Sequence, residues 1–278
     1  MIGQRLADHL SSRGQHVVST TRRSDRVSQS RPQVDLAAQL WPDFSALIGD
    51  RPATAYICAA VARIAACEAD PSNARAVNVN GCTSLATHLV AVGANIVALS
   101  TNQVLSGQTP RESADAPHAP ATEYGRQKAE LERRVLALGP QVKVLRLTKV
   151  FGELDPLLNG WRKTLRCNLP ISPFVDMSAA PVKVDDVAST LAALGTRDGH
   201  GVYQYSASRD VSYAEMASAI AAAEGCAAAL VRPQSSREAG LAFSPPRFTS
   251  LCGERLMREF SIAQPDPIQV ALMGGYEK

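Results

Sequence analysis

Lysine is scarce in this chain, with six residues against 23 arginines in 278, and the net charge is only +3. A balance that mild gives no reason to expect a nucleic-acid partner. No apolar run approaches the roughly 20 residues that a membrane-spanning helix needs. The N-terminus has no basic region followed by an apolar segment, so no signal peptide is expected either. The six cysteines (58, 67, 82, 167, 226, 252) form no C-x-x-C pair, and the five histidines (9, 16, 88, 118, 200) are equally scattered. Neither set has metal-ligand spacing, so no metal is expected. Unpatterned thiols suit core positions in a reducing compartment, and a cytoplasmic protein is expected. Internal repeats are also lacking.

Apolar residues make up 45% of the chain, enough for one large domain or a large domain with a small lobe. Their pattern is an alternation of strands and helices. "QRLADHLSSRG" reads as a helix ending at Gly14. Strands are expected at 16–21 ("HVVSTT") and 33–37 ("QVDLA"), with a helical stretch near 43–49. "TAYICAA" (54–60) and "NIVALS" (95–100) are continuous apolar runs, as for strands buried on both faces. Helices are expected at 73–93 and 123–139, and a strand running into a turn at 142–152. Beyond 152 the rhythm loosens. A strand-then-helix pattern returns at 182–195, a strand at 201–207, a helix at 212–225, and a proline-marked turn with a helix at 244–262. The alternation predicts an α/β fold with a Rossmann-type, doubly wound parallel sheet and a small C-terminal substrate-binding lobe. Residues 1–152 read as the dinucleotide-binding domain. Residues 153–278 read mainly as the substrate lobe, with 182–207 returning to the core sheet.

The segment that carries chemistry is "EYGRQK", in which Tyr124 and Lys128 stand one helical turn apart on one face. A nearby ammonium is expected to stabilise the phenolate and lower the tyrosine pKa, so that it exchanges a proton near neutrality. By itself the spacing is weak, since an exposed pair on a helix surface looks the same. However, "NIVALS" ends about 23 residues earlier at Ser100 and Thr101. The carboxyl end of a parallel strand is where such sheets bind ligands, and a hydroxyl there can hold a substrate carbonyl.

With these residues in place, the chain resembles the extended short-chain dehydrogenase/reductases, in particular their dTDP-4-dehydrorhamnose reductase-like, sugar-nucleotide-binding branch. "AYICAA", "EADPSNARAVNVNGCTSLA", "LSTNQVLSG", "PATEYGRQKAELE" and "VLRLTKVFG" are similar to successive landmarks of that family, as are "APVKVDDVA", "GVYQYSASRDVSYAEMA" and "PPRFTSLCGERLMREFSI". The resemblance covers almost the whole chain. It implies a reductase in which NAD(P)H reduces a nucleotide-linked 4-keto-6-deoxysugar. Tyr124 would give the proton, Lys128 would tune Tyr124 and hold the nicotinamide ribose, and Thr101 would orient the carbonyl. On the cofactor side the resemblance places Ile2, Gly3, Asp35, Leu36, Ala59, Ala60 and Asn78, together with Tyr124 and Lys128. On the substrate side stand Asn102, Arg146, Asn159 and Asp176. Where the family has Asp-Tyr after the threonine, this chain has Asn102-Gln103, and Leu105 and Ser106 replace Phe and Asp.

After the second expected strand, "VVSTTRRSD" offers Arg22 and Arg23 before any acidic residue. Arginine at that place accommodates a ribose 2′-phosphate, so NADP(H) is favoured over NAD(H). Three functions fit: the sugar-nucleotide reductase, an epimerase or dehydratase of the same superfamily, and a non-catalytic regulatory relative that binds NAD(P). Asn102 argues against the dehydratase, which usually carries acidic residues beside the threonine. A homodimer could form through the helix at 73–93 or at 123–139.

The opening "MIGQRLADHL" completes the resemblance. Gly3 takes the place of the last glycine in the family's Gly-x-x-Gly-x-x-Gly turn, and the 278 residues contain no counterpart of the earlier glycines or of the first strand. That strand is central in a doubly wound sheet, and its burial contributes roughly 7–15 kcal/mol. We therefore expect the sequence to be a truncated or mis-started form of a longer protein.

Overall fold

A computed structural model describes residues 1–28, 30–49, 51–240 and 246–273. In chain order it runs α1 (Ile2–Ser11), α2 (Phe44–Ile48), β1 (Thr54–Ile57), α3 (Ile64–Ala69), α4 (Pro71–Arg75), a π-helical stretch (Ala76–Gly81), α5 (Cys82–Ala91) and β2 (Asn95–Thr101). Then come a 3-10 turn (Asn102–Val104), α6 (Glu123–Leu136), β3 (Val142–Leu147), β4 (Val150–Phe151), α7 (Pro156–Arg166), β5 (Ser178–Ala179), β6 (Val182–Lys183) and α8 (Val184–Gly195). The chain continues through β7 (Gly201–Tyr205), β8 (Val211–Ser212), α9 (Tyr213–Ala223), α10 (Glu254–Phe260) and α11 (Pro267–Leu272). Residues 244 and 245, which open the expected 244–262 segment, lie outside the described residues.

The main sheet has the order β1-β2-β3-β7, and β1 pairs with β2 in parallel, Thr54 opposite Asn95 and Ile57 opposite Ala98. α5 and its preceding turns connect β1 to β2, and α6 connects β2 to β3. A parallel neighbour requires such a crossover, and helices covering both faces are why β2 reads as an almost unbroken apolar run. Ile96, Val97, Ala98, Val142, Val144 and Leu145 are all buried.

The chain divides into two compact units. The first comprises 1–106, 117–146 and 185–203; the second comprises 107–116, 147–184 and 204–278. In the first, Ile57, Ile96 and Ala98 of the sheet pack with Leu85, Ala86 and Leu89 of α5 and Leu131 and Val135 of α6. In the second, Phe151 packs with Leu158, Trp161 and Leu165 of α7 and Met216, Ala217 and Ile220 of α9. α9 begins with a reciprocal capping box, in which the Ser212 and Glu215 side chains each satisfy the other's backbone N–H.

Two expected strands do not form ladders. Residues 16–21 and 33–37 meet at a single parallel bridge, Thr21 with Gln33, through Thr21 N to Pro32 O (3.1 Å) and Val34 N to Thr21 O (2.9 Å). β propensity at 16–21 is high, but a strand is stable only with hydrogen-bonded neighbours and a face to bury. Val18 is exposed, and among the described residues no strand pairs with the outer side of β1. The run expected over 54–60 likewise pairs only as far as Ile57. Residues 73–93, expected as one plain helix, are instead α4, the π-helical stretch and α5 in succession.

Candidate active site

Thr101 is the last residue of β2 and is almost fully buried. Its hydroxyl accepts a hydrogen bond from Gln103 N (3.2 Å) and so caps the 3-10 turn that follows. Its proton points toward Asn102 Oδ1, 3.4 Å away. α6 starts at a similar cap, where Thr122 Oγ1 accepts from Gly125 N (3.1 Å). These caps satisfy N–H groups that would otherwise be orphaned at a helix start.

Gly125 explains how the helix and the strand end come together. A Cβ built on it would lie 2.2 Å from Gln103 O. α6 therefore presses its backbone against the turn just after Thr101, a separation no side chain would permit. Tyr124 and Lys128 sit on either side of this contact along the helix. Spacing alone did not reveal Gly125 as part of the site, although it lies inside the quoted motif.

Lys128 is 3% exposed, and neither its ammonium nor the Tyr124 hydroxyl has a hydrogen-bond partner among the described residues. Burial pushes the Lys128 ammonium below the ordinary lysine range, partly offset by the thiols of Cys82 and Cys58 and by Glu132. Burial also pushes the Tyr124 phenol up to about 12, with Cys67 and Cys82 adding to the effect. The expected lowering of the tyrosine pKa by its lysine is thus reversed here. Desolvation penalises the phenolate and the ammonium alike, and Lys128 is not among the groups that shift the phenol. Cys58, which follows β1, is held up at about 11 by burial in spite of Lys128.

Behind this pair lies a buried network that the sequence reading did not single out. One turn beyond Lys128, Glu132 accepts from Arg146 Nη2 (2.7 Å) and Nε (3.0 Å), from Ser100 Oγ, and contacts His118 Nε2 at 2.9 Å. Burial pushes the Glu132 carboxyl up, but the bonds from His118, Arg146 and Ser100 outweigh it and hold the group below the ordinary range. Arg146, expected on the substrate side, is 2% exposed and engaged with Glu132 on the inner face of the sheet.

The other expected residues fall as follows. Asn78 is fully buried in the π-helical stretch, where it holds both backbone groups of Val61. Ala59 and Ala60 continue the chain past β1, and Ala59 is exposed. Ile2 and Gly3 open α1, and a Cβ on Gly3 would meet the Cβ of Cys58 at 3.5 Å, so the start of α1 lies beside the end of β1. Asp35 accepts from Ala37 N and Ala38 N (2.9 and 3.1 Å), and Leu36 is buried, its carbonyl against Gly81. Arg23 forms a bidentate exposed pair with Asp25 (3.0 and 2.7 Å), while Arg22 is exposed beside it. In the second unit, Asn159 Nδ2 donates to Glu153 O (3.3 Å). Asp176 accepts from Ser235 Oγ (2.7 Å) and Ser236 N (2.8 Å). Among the described residues, no group of three or more histidine, cysteine or acidic side chains is arranged to hold a metal, and no helix is long and apolar enough to cross a membrane.

A parallel sheet crossed by helices, with a strand-end threonine facing a helix that carries Tyr-x-x-x-Lys, defines a Rossmann-type α/β protein of the short-chain dehydrogenase/reductase kind. The chain belongs to the RmlD substrate binding domain family, which it matches over residues 1–272. It is 27% identical over 238 residues to methionine adenosyltransferase 2 subunit beta of Xenopus tropicalis, spanning 82% of this chain and 71% of that protein. To dTDP-4-dehydrorhamnose reductase of Sinorhizobium fredii it is 26% identical over 210 residues, 68% of this chain and 70% of that one. Among solved structures, the Bacillus anthracis dTDP-4-dehydrorhamnose reductase in complex with NADP superposes with a TM-score of 0.71 at 23% identity, covering 78% of this chain and 77% of that one. MoeE5 in complex with UDP-glucuronic acid and NAD superposes with a TM-score of 0.79 at 20% identity over 98% and 93% of the two chains.

Proposed function

We propose that this protein is an NAD(P)H-dependent reductase of a nucleotide-activated 4-keto-6-deoxysugar. The observation that carries the reading is the placing of the Tyr124 phenol and the Lys128 ammonium on one face of α6, whose backbone at Gly125 presses against the turn that follows the capped strand-end Thr101. Among the described residues no neighbouring group takes up either polar end by a hydrogen bond, so both can meet a ligand. A dinucleotide fits these residues: ribose hydroxyls would satisfy Lys128, and the start of α1 beside Cys58 suits a pyrophosphate. When bound, the reduced nicotinamide would supply the hydride.

The protein's own part is positional and electrostatic. Thr101 holds the substrate carbonyl oxygen with its hydroxyl, and Tyr124 Oη delivers the proton to that oxygen. A phenol held near 12 stays protonated at neutral pH, so it stands ready as the donor. Lys128 compensates the charge left on the phenolate. On this reading the first part of the chain, to about residue 152, serves the dinucleotide and carries Asn102 beside Thr101, and the later part, with Asn159 and Asp176, serves the sugar nucleotide. Arg22 favours NADP(H) over NAD(H), since Arg23 is already engaged by Asp25.

A second reading, a dinucleotide-binding regulatory subunit without turnover, is favoured by the similarity to methionine adenosyltransferase 2 subunit beta over 82% of the chain. One experiment separates the two. Purified protein is mixed with NADPH and a 4-keto-6-deoxy nucleotide sugar, and the absorbance of the reduced cofactor is followed. Turnover in the wild type and its loss in Tyr124→Phe support the reductase. Cofactor binding without turnover supports the regulatory subunit, and product without net cofactor consumption supports an epimerase.

A further inference from the structure

Gln127 lies between Tyr124 and Lys128 on α6 and is buried, with no exposure at all. Its carboxamide uses both ends. Nε2 donates to Pro71 O (3.1 Å) at the start of α4 and to Glu123 Oε1 (3.0 Å), and Oε1 accepts from Asn78 Nδ2 (2.9 Å). Asn78 in turn accepts from Val61 N (2.8 Å) and donates to Val61 O (3.0 Å), and its Nδ2 lies 3.8 Å from the Cys67 thiol. Asn78 reaches this position from a π-helical stretch, a rare local widening of a helix that is frequent at functional sites.

We infer that Gln127 is a positioning residue, which through Asn78 locks the segment 58–61 after β1 to the helix that carries Tyr124 and Lys128. The inference rests on the dinucleotide reading, in which 58–61 lies under the cofactor and Tyr124 and Lys128 face its nicotinamide end. The two parts belong to separate elements and need a fixed spacing for a hydride and a proton to reach one carbonyl. A fully satisfied buried amide network provides it, because such a network is rigid and intolerant of partial loss. The path is short and continuous: α6, Gln127, Asn78, Val61, Ala60.

The test uses the full chain and three proteins: wild type, Gln127→Met, and the double variant Asn78→Leu/Gln127→Met. The double variant removes both amides together, so that neither is left orphaned if the single variant folds poorly. Exchange of the Val61 amide is followed by NMR on the ligand-free protein. Affinity for NADPH and for NADH is measured by nicotinamide fluorescence, and KM and kcat are measured with the keto sugar. The expected result is Val61 exchange faster by about tenfold in both variants, with dinucleotide affinity weakened by about tenfold at a temperature where all three proteins are folded. A lower melting temperature with Val61 exchange and dinucleotide affinity unchanged overturns the inference, since a merely structural role would do that. Should the wild type bind neither dinucleotide, the reductase reading falls. Val61 exchange then still decides whether Gln127 locks 58–61 to α6, a role that stands if exchange quickens and fails if it does not.

Discussion

Replacing Glu132 by Gln keeps the shape of the side chain and removes one charge from the interior of the first unit. The consequence falls on Arg146. Its guanidinium grips both carboxylate oxygens, at 2.7 and 3.0 Å, and the two side chains are 2% and 1% exposed. A buried pair of this kind contributes little net stability over an apolar equivalent, but stripping one partner leaves the other charge uncompensated, at a cost of about 3–5 kcal/mol. At roughly 2–4 °C per kcal/mol for a protein near this size, the melting temperature of Glu132→Gln should fall by about 6–20 °C. The double variant Glu132→Leu/Arg146→Met should recover most of the loss, because it removes both charges. Urea unfolding and calorimetry at neutral pH measure both effects. Acid provides a second arm. The Glu132 carboxyl is held below its ordinary range in the folded protein, so its contribution is complete above the unfolded value of about 4.3 and is lost as pH falls through the folded one. The gap between wild type and Glu132→Gln should therefore close on acidification. A Glu132→Gln protein within about 1 kcal/mol of wild type at pH 7 would refute the reasoning, since the pair would then be open to solvent.

Three further outcomes are expected. Gly125→Ala places a methyl 2.2 Å from Gln103 O, and the α6 shift of about an ångström that relieves it should lower kcat by about a hundredfold with the protein still folded. Lys128→Met should raise stability at neutral pH while abolishing turnover, because an ammonium whose pKa is lowered by burial opposes folding below its unfolded value; in the wild type, dinucleotide affinity should fall as pH rises through that lowered value, and affinity flat to about pH 10 would count against it. Arg22→Ala should raise KM for NADPH by about tenfold and leave that for NADH unchanged.

The strands at 95–100 and 201–207 and the helices at 123–139 and 212–225 were legible because each buries a regular face, whereas α3, α7 and α11 were not read from the sequence. Ile96, Val97, Ala98 and Leu99 make an unbroken apolar run, and Thr122 and Ser212 announce the helices they cap. The stretch at 16–21 misled because composition reports what a segment would do with a neighbour and says nothing of whether the neighbour is there. Tyr124, Lys128 and Thr101 were legible as residue types at a spacing. Their electrostatics were not, since the direction of the tyrosine shift depends on burial, which no spacing encodes. Arg146 shows the same limit. A lone arginine at a strand is equally a ligand group or half of an ion pair, and the other half, Glu132, sits 14 positions away on a different element.

The carboxamide of Asn78 has a consequence that concerns the backbone rather than any ligand. A primary amide is the smallest fragment of a peptide, and this one meets the N–H and C=O of Val61 with its own oxygen and nitrogen, as the opposing residue of an adjacent chain would. One side chain thus imitates a single rung of a neighbouring strand at a point where β1 has already ended. The imitation demands both functions of the amide. Aspartate would set a carboxylate against the Val61 carbonyl, and leucine would leave both groups to water. Asparagine at 78 is therefore dictated by main-chain valence, whatever the protein binds.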